Sequence, residues 1–426
     1  MKSAILCFPY IEGLPQYPTG LYKIGTHSVR EFCVRVLDAR MESDICGKID
    51  RIMQSEDVLC LGVSCMTGPQ ILSALDLSKR YHGQLPIVWG GSHPTLMPKV
   101  TLESGLADVV IRGDGEGAFL ELLRSLDQLG SLACSIDAEE QINFFADFAK
   151  EYVDFDTYPV DERYLVNRDG LTRAFPLETS RGCAHKCAFC HNTALGRKYR
   201  AVSARSVLRV IDELVDRYKI GGIIFQEDNF FLNKERARAI IGGLPERRLG
   251  WKANARISYV KSFSPEFLSF IQRSQCHVLQ FGVESGSDRI LDIVSKGVTA
   301  SEIREANSRL GEYQIGVRYN FILGFPTETT TDLEKTLTLI RQLKDENPNC
   351  LPPFLNIYTP YPGTPLFGLA TRMGFVAPKM LEDWAEVHWN SATLPWLSEH
   401  TASEYEKLSQ HFLQETEYAK FLTAES

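Results

Sequence analysis

The sequence predicts an α/β protein: an N-terminal Rossmann-like domain, then a partial (βα)6 barrel, then a C-terminal helical extension. Three observations predict it. Short apolar runs alternate with amphipathic stretches through most of the 426 residues. The alternation weakens between about 131 and 170 and resumes with a different rhythm. Glycines gather where the apolar runs end, which in open parallel sheets is where ligands bind. The boundaries that follow are 1–150 for the first domain, 151–170 for a linker, 171–375 for the barrel and 376–426 for the extension.

In the first domain "SAILCFPY", "CVRVLDA", "DVLCLGVSC", "PIVWGG" and "DVVIRGD" read as strands of a parallel sheet with crossover helices. Gly68, Gly90, Gly91, Gly113, Gly115 and Gly117 follow their carboxyl ends and outline a ligand crevice. The acidic "DAEE" and the "DFDTYP" stretch read as a helix followed by the linker. From Phe175 to Pro365 six more strands are expected: "FPLETS", "GIIFQED", "WKANARI", "VLQFGVES", "GVRYNFILGFP" and "FLNIYTPYP". Between them Val207, Ile211, Leu214 and Tyr218 trace one helix face. Ser264 before Pro265 marks a helix start, and Thr299–Glu302 and Thr331–Glu334 have capping-box spacing. Six βα units in this span favour a curved partial barrel, with functional residues at strand C-termini. In the extension, Trp384, Trp389 and Trp396 precede a helix expected from Ser403 to Leu422. That segment serves as a packing cap over the barrel or as a substrate wall.

Composition narrows the setting. Lys plus Arg is 46 against 54 for Asp plus Glu, a net charge of −8, so no positive field exists to hold nucleic acid. The apolar start of "MKSAILCFPYIEG" is too short for a signal-peptide core and reads as a buried strand. No run of about 18 apolar residues suggests a membrane span. Eleven cysteines, an odd number in a long chain, suit a reducing compartment, and the expected location is cytoplasmic. Most of them lie singly in apolar runs, as small buried hydrophobes do.

Only Cys183, Cys187 and Cys190 form a constellation, in "SRGCAHKCAFCHN", at i, i+4 and i+7. Thiolates select zinc or iron–sulfur clusters. A closed zinc site needs a fourth ligand, which His185 or His191 could supply, although zinc ligands usually come as two separated pairs and no second pair exists here. A four-iron cluster on three cysteines instead leaves one iron without a protein ligand. Such an iron can chelate a small molecule and deliver an electron to it.

With Phe189 before the last thiol, Cys183, Cys187 and Cys190 match the CxxxCxxC pattern of radical S-adenosylmethionine (SAM) enzymes, and the chain resembles that family. The resemblance implies a [4Fe-4S] cluster whose open iron binds SAM and cleaves it reductively to a 5'-deoxyadenosyl radical. It also implies an electron donor such as flavodoxin or ferredoxin. Further segments match in order. "FQEDNF" resembles the family segment whose carboxylates meet the SAM amino group, with Glu227 and Asp228 at the matching positions; read alone, it is also a plausible acidic surface turn. In "WKANARIS" Arg256 stands where relatives carry a basic residue near the SAM carboxylate, or else forms a strand-end salt bridge. "FGVESGSDRIL" places Glu284 and Ser285 where the family contacts the ribose or methionine moiety, and "ILGFPTET" places Gly324 and Pro326 where backbone approaches the adenine.

The first domain, through "GVSCMT", "WGGSHPTLMP" and "VIRGDGEGAFLELL", resembles the cobalamin-binding type of Rossmann domain, with Ser64, Thr67, Gly90, Gly91 and His93 at crevice-lining positions. The Asp-x-His-x-x-Gly pattern that supplies an axial histidine is absent: His27 has Gly25 in place of the acid, and His93 is followed by "PTLM". The resemblance therefore implies cobalamin without a protein imidazole on its lower face. The implied activity is a cobalamin-dependent radical SAM methyltransferase acting on an unactivated carbon or phosphorus centre of a small-molecule substrate. The alternatives are a dehydratase, cyclase or rearrangement enzyme with a vestigial cobalamin domain, and a non-catalytic iron–sulfur protein.

Overall fold

The computed structural model describes residues 1–12, 17–129, 152–196, 198–391 and 393–415. The helix expected within 131–150, Cys134 and the last turns of the expected final helix lie outside the described residues. The chain forms two compact units. One is Met1–Val160 with Val376–His388; the other is Asp161–Phe375 with the chain from Trp389 on. The segment expected as a single extension is thus divided between them.

In the first unit β1 (Ser3–Phe8), β2 (Cys33–Asp38), β3 (Val58–Ser64), β4 (Ile87–Gly90) and β5 (Val109–Val110) form an all-parallel sheet in the order β2-β1-β3-β4-β5. Successive side chains of a strand point to opposite faces, and both faces here are covered. Ile5, Cys7, Leu61, Val63 and Trp89 pack with Ile71 and Leu75 of the helix Gln70–Tyr81. Ala4, Leu6, Cys60 and Val88 pack with Leu21 of the helix Thr19–Ser28 and Phe119 and Leu123 of the helix Glu116–Leu129. The strand order reverses between β1 and β3, so the crevice lies at their carboxyl ends.

The second unit is a curled half-barrel. β6 (Val166–Arg168) and β7 (Leu171–Leu177) make an antiparallel hairpin at its edge, and β8 (Ser180–Arg181) pairs separately with β9 (Arg200–Ala201). β10 (Gly222–Phe225), β11 (Gly250–Ala255), β12 (Cys276–Glu284), β13 (Gly316–Leu323) and β14 (Phe354–Ile357) continue the sheet from β7, all parallel. Val207, Ile211 and Leu214 are the buried face of the helix Ala204–Tyr218. Ser264 caps the helix Pro265–Arg273, and Thr299 forms its capping box with Glu302. The second box is Thr329 with Asp332, not Thr331 with Glu334, because Thr331 already lies inside the helix Thr330–Glu346. A buried triad ties the β6–β7 turn to two strands: Asp169 accepts from Lys252 at 2.6 Å and Arg318 at 2.7 Å. Burial pushes this carboxyl's pKa up, but the two cations outweigh that and hold it below its ordinary value. Among the described residues no helix is long and apolar enough to cross a membrane.

Candidate functional site

In the second unit the β8–β9 ribbon grips both ends of the cysteine loop, which leaves the first parallel strand β7. The loop is pinned through its backbone. Ala188 N–H donates to the Val294 carbonyl at 2.9 Å, Leu366 N–H to the Ala188 carbonyl at 2.9 Å, and Thr193 Oγ1 to the Cys187 carbonyl at 3.0 Å. Cys187 is buried, and Cys183 and Cys190 are half-buried. Burial raises the Cys183 thiol and pushes Cys190 up to about 11. A metal that takes up these thiols must therefore displace their protons. Arg256 places Nη1 at 3.4 Å from Cys187 Sγ, a fixed cation beside the sulfur, and its charge lowers the Cys183 pKa. His185 Nε2 meets Tyr259 Oη at 2.8 Å, and the His191 ring stands edge-on to Tyr361. Among the described residues no three His, Cys, Asp or Glu side chains converge on a single ion.

The two acidic neighbours divide. Glu227, expected to meet the SAM amino group, is a buried strut. It accepts from Thr179 Oγ1 and from Ser180 Oγ at 2.7 Å, and Arg236 Nη1 lies at 3.8 Å. Burial raises its pKa against the pull of Arg236. Asp228 is exposed, and its charge is felt at both Cys183 and Cys190, where it helps raise the thiol pKa.

Glu284 ends β12 at a register shift against β13 and holds φ at +68°, an uncommon value for a residue with a side chain. Its Oε1 accepts from Lys296 Nζ at 2.6 Å in a buried pair, and Nζ also lies 5.8 Å from the centre of the Phe189 ring. Phe189 in turn packs on Phe325. Ser285 departs from expectation. It is fully buried, bonded to Thr336 Oγ1 at 3.2 Å and to the Ser287 N–H at 3.1 Å, so its hydroxyl joins the strand end to the helix behind it.

Gly324 turns the chain at φ +79°, and its polar atoms also face inward: its N–H donates to Glu328 Oε2 at 2.6 Å and its carbonyl accepts from Trp396 Nε1 at 3.1 Å. Pro326, on the same turn, is buried. Tyr405 also donates to Glu328 Oε2, at 3.2 Å, while burial pushes the Glu328 carboxyl up to about 7. Lys296, Glu328 and Tyr405 were missed by sequence reasoning. For Glu328 the signal was the acidic residue at a glycine turn; the other two left none.

In the first unit the crevice is built mainly from backbone. Cys65 N–H donates to the Gly90 carbonyl at 2.8 Å, and His93 N–H to the Cys65 carbonyl at 3.1 Å. Gly91, at φ +100°, lies so near that a Cβ on it would stand 2.6 Å from the Cys65 oxygen, so only glycine fits. Ser64 and Thr67 are half-buried hydroxyls. His93 does not face outward: it is fully buried, Nδ1 meets Thr67 Oγ1 at 3.1 Å, and burial pulls its pKa down to about 4, leaving it neutral. Gln70, also missed, bridges the switch point, donating to the Pro9 carbonyl at 3.1 Å and accepting from Met66 N–H at 2.9 Å.

The donor sets fit the implied groups. Three thiols beside a guanidinium suit an anionic cluster, and an exposed carboxylate with that guanidinium suits the zwitterionic end of SAM. Glycine backbone and uncharged hydroxyls suit a large ligand rich in neutral amides, as cobalamin is.

Comparison with known proteins agrees with this division. Residues 177–340 match the Radical SAM superfamily, and residues 26–123 match the B12 binding domain. A Pyrococcus horikoshii protein named an uncharacterized methyltransferase is 28% identical over 83% of this chain and 78% of its own length. An anaerobic magnesium-protoporphyrin IX monomethyl ester cyclase of Cereibacter sphaeroides is 29% identical over 66% of this chain but only 47% of the cyclase. The radical SAM methyltransferase TsrM of Kitasatospora setae, solved with cobalamin and a [4Fe-4S] cluster bound, superposes with a TM-score of 0.69 at 17% identity, over 89% of this chain and 76% of that one.

Proposed function

We propose that this chain, a member of the radical SAM superfamily with an N-terminal B12-binding domain, is a cobalamin-dependent methyltransferase acting on an unactivated centre of a small molecule. A [4Fe-4S] cluster, SAM and cobalamin are the cofactors typical of such enzymes. When bound, they supply an electron for SAM cleavage and a carrier for the methyl group. The observation that carries the reading is the presence in one chain of two differently built sites. One is a three-thiol loop flanked by Asp228 and Arg256; the other is an uncharged, glycine-lined crevice.

In this reading Cys183, Cys187 and Cys190 hold the cluster. Arg256 takes the SAM carboxylate and Asp228 its ammonium, each by a charge-assisted hydrogen bond. Glu284, steadied by Lys296 through one oxygen, offers the other to the ribose hydroxyls. Phe189 and Phe325 close an apolar side that keeps water from the reacting groups. An external reductant supplies the electron, as radical SAM enzymes require. Likeness to a cyclase at nearly the same identity as the methyltransferase supports a second reading, radical chemistry without methyl transfer.

One experiment separates the two readings without knowledge of the substrate. The protein, reconstituted anaerobically with iron, sulfide and hydroxocobalamin and then reduced, is incubated with SAM. Methyl transfer predicts S-adenosylhomocysteine in proportion to bound cobalt. 5'-Deoxyadenosine as the only SAM product, at a rate indifferent to cobalt, would reject methyl transfer and favour the cyclase-like reading.

A further inference from the structure

The match to the B12-binding domain covers residues 26–123, yet the first unit is completed by Val376–His388, far downstream in the chain. This segment enters the sheet's core. Leu381, Trp384 and Ala385 are buried in the same cluster as Val63, Cys65, Ile71 and Trp89. Trp384 is fully buried, and its Nε1–H donates to the Pro378 carbonyl at 3.1 Å within the segment, which leaves the ring faces for packing.

The ring packs against His93. The two rings lie edge to face, with centres 5.8 Å apart and planes at 62°. Among the described residues the His93 imidazole is hydrogen-bonded at one nitrogen: Nδ1 meets the Thr67 hydroxyl, and Nε2 has no partner. A buried imidazole bonded at one nitrogen can pivot unless its faces are packed. Trp384 therefore sets the His93 ring, and the His93 ring sets Thr67, a crevice hydroxyl. A second contact acts on the next residue. Gly68 holds φ at +116°, and a Cβ there would lie 3.0 Å from His388 Cβ, so His388 backs the turn that carries Thr67.

We propose that Val376–His388 is part of the cobalamin site, with Trp384 and His388 as positioning residues that hold the Thr67–Gly68 turn in the shape that receives the cofactor. This rests on the reading that the first unit binds cobalamin. A cobalamin site of this chain is then not contained in its N-terminal domain. Neither residue is assigned a bond to cobalt.

The test uses the full chain and hydroxocobalamin as the probe. Wild type, Trp384→Leu, Trp384→Phe and His388→Gly are reconstituted anaerobically and desalted. Cobalt and iron per chain are then measured, with the cobalt(II) resonance and thermal melting recorded alongside. Trp384→Leu and His388→Gly, which removes the Cβ that backs Gly68, are expected to bind cobalamin about tenfold more weakly, with wild-type iron and a cooperative melt, and Trp384→Phe to regain most of the binding. Wild-type cobalt retention in both folded variants overturns the proposal. If Trp384→Leu does not fold, His388→Gly decides alone, since it removes the Cβ that backs Gly68 and the side chain is only half-buried. Failure of wild type itself to retain cobalt while holding iron would instead overturn the underlying cobalamin reading, and this proposal with it.

Discussion

The thiol loop of the second unit and the strand-end crevice of the first are built from opposite materials. The loop presents reactive side chains from one contiguous stretch, with Arg256 and Asp228 adding charge from two neighbouring strand ends. The crevice presents backbone and hydroxyls, and its shape comes from the close approach of Gly91 to Cys65 and from a histidine that is buried and neutral. A site made of side chains should fail when one donor is removed. A site made of backbone should fail when its shape is disturbed, with its donors intact.

The largest expected effect tests the first half of that contrast. Replacing any one of Cys183, Cys187 or Cys190 with alanine should abolish SAM cleavage and drop iron content toward zero. Hydroxocobalamin retention should stay at the wild-type level. Iron analysis and electron paramagnetic resonance of anaerobically reconstituted protein check this, and a variant that loses both cofactors together would break the separation of the two sites.

The two units should also respond oppositely to pH. The folded His93 pKa, about 4, lies below its ordinary 6.5, so between these values the unfolded chain binds a proton that the folded chain refuses. The first unit should lose about 3 kcal/mol as pH falls from 6.5 to 4. Glu328 has the reverse sign: its folded pKa, about 7, lies above 4.5, and the folded chain keeps the proton. The turn at 324–328 should lose about 3 kcal/mol as pH rises from 4.5 through 7. Hydrogen exchange followed peptide by peptide resolves the two slopes, and His93→Gln and Glu328→Gln should each flatten only their own.

Glu284→Gln should weaken SAM binding by about 1.5–3 kcal/mol at full iron content, through loss of a charge-assisted hydrogen bond. Titration calorimetry on the reconstituted protein measures it. Unchanged affinity would remove Glu284 from the SAM site and leave it as the partner of Lys296 alone.

The smallest effect probes the backbone site. Gly91→Ala adds one methyl group where the Cys65 oxygen stands, in a backbone conformation that disfavours a side chain, at a cost of about 1–3 kcal/mol. Cobalt retention should fall while iron content and SAM cleavage persist. Equal retention would mean that the crevice does not depend on this close approach.

The sequence by itself did not determine β6, β8 or β9, but it did determine the parallel strands of the two large sheets, the glycines at strand ends and the three cysteines with their spacing. All of these depend on the local chain: side-chain period, turn chemistry and donors within one loop. Tertiary structure alone decided which polar residues are claimed by other elements and which stay exposed. Glu227 and Asp228 are adjacent, and successive side chains at a strand end point in different directions. Which of the two turned inward depended on Thr179, Ser180 and Arg236 arriving from other elements. Ser285 was claimed by Thr336 in the same way, and His93 was enclosed by a tryptophan nearly three hundred residues later in the sequence. Spacing along the chain carries no record of such partners, because burial is set by elements that meet only when the sheets have formed.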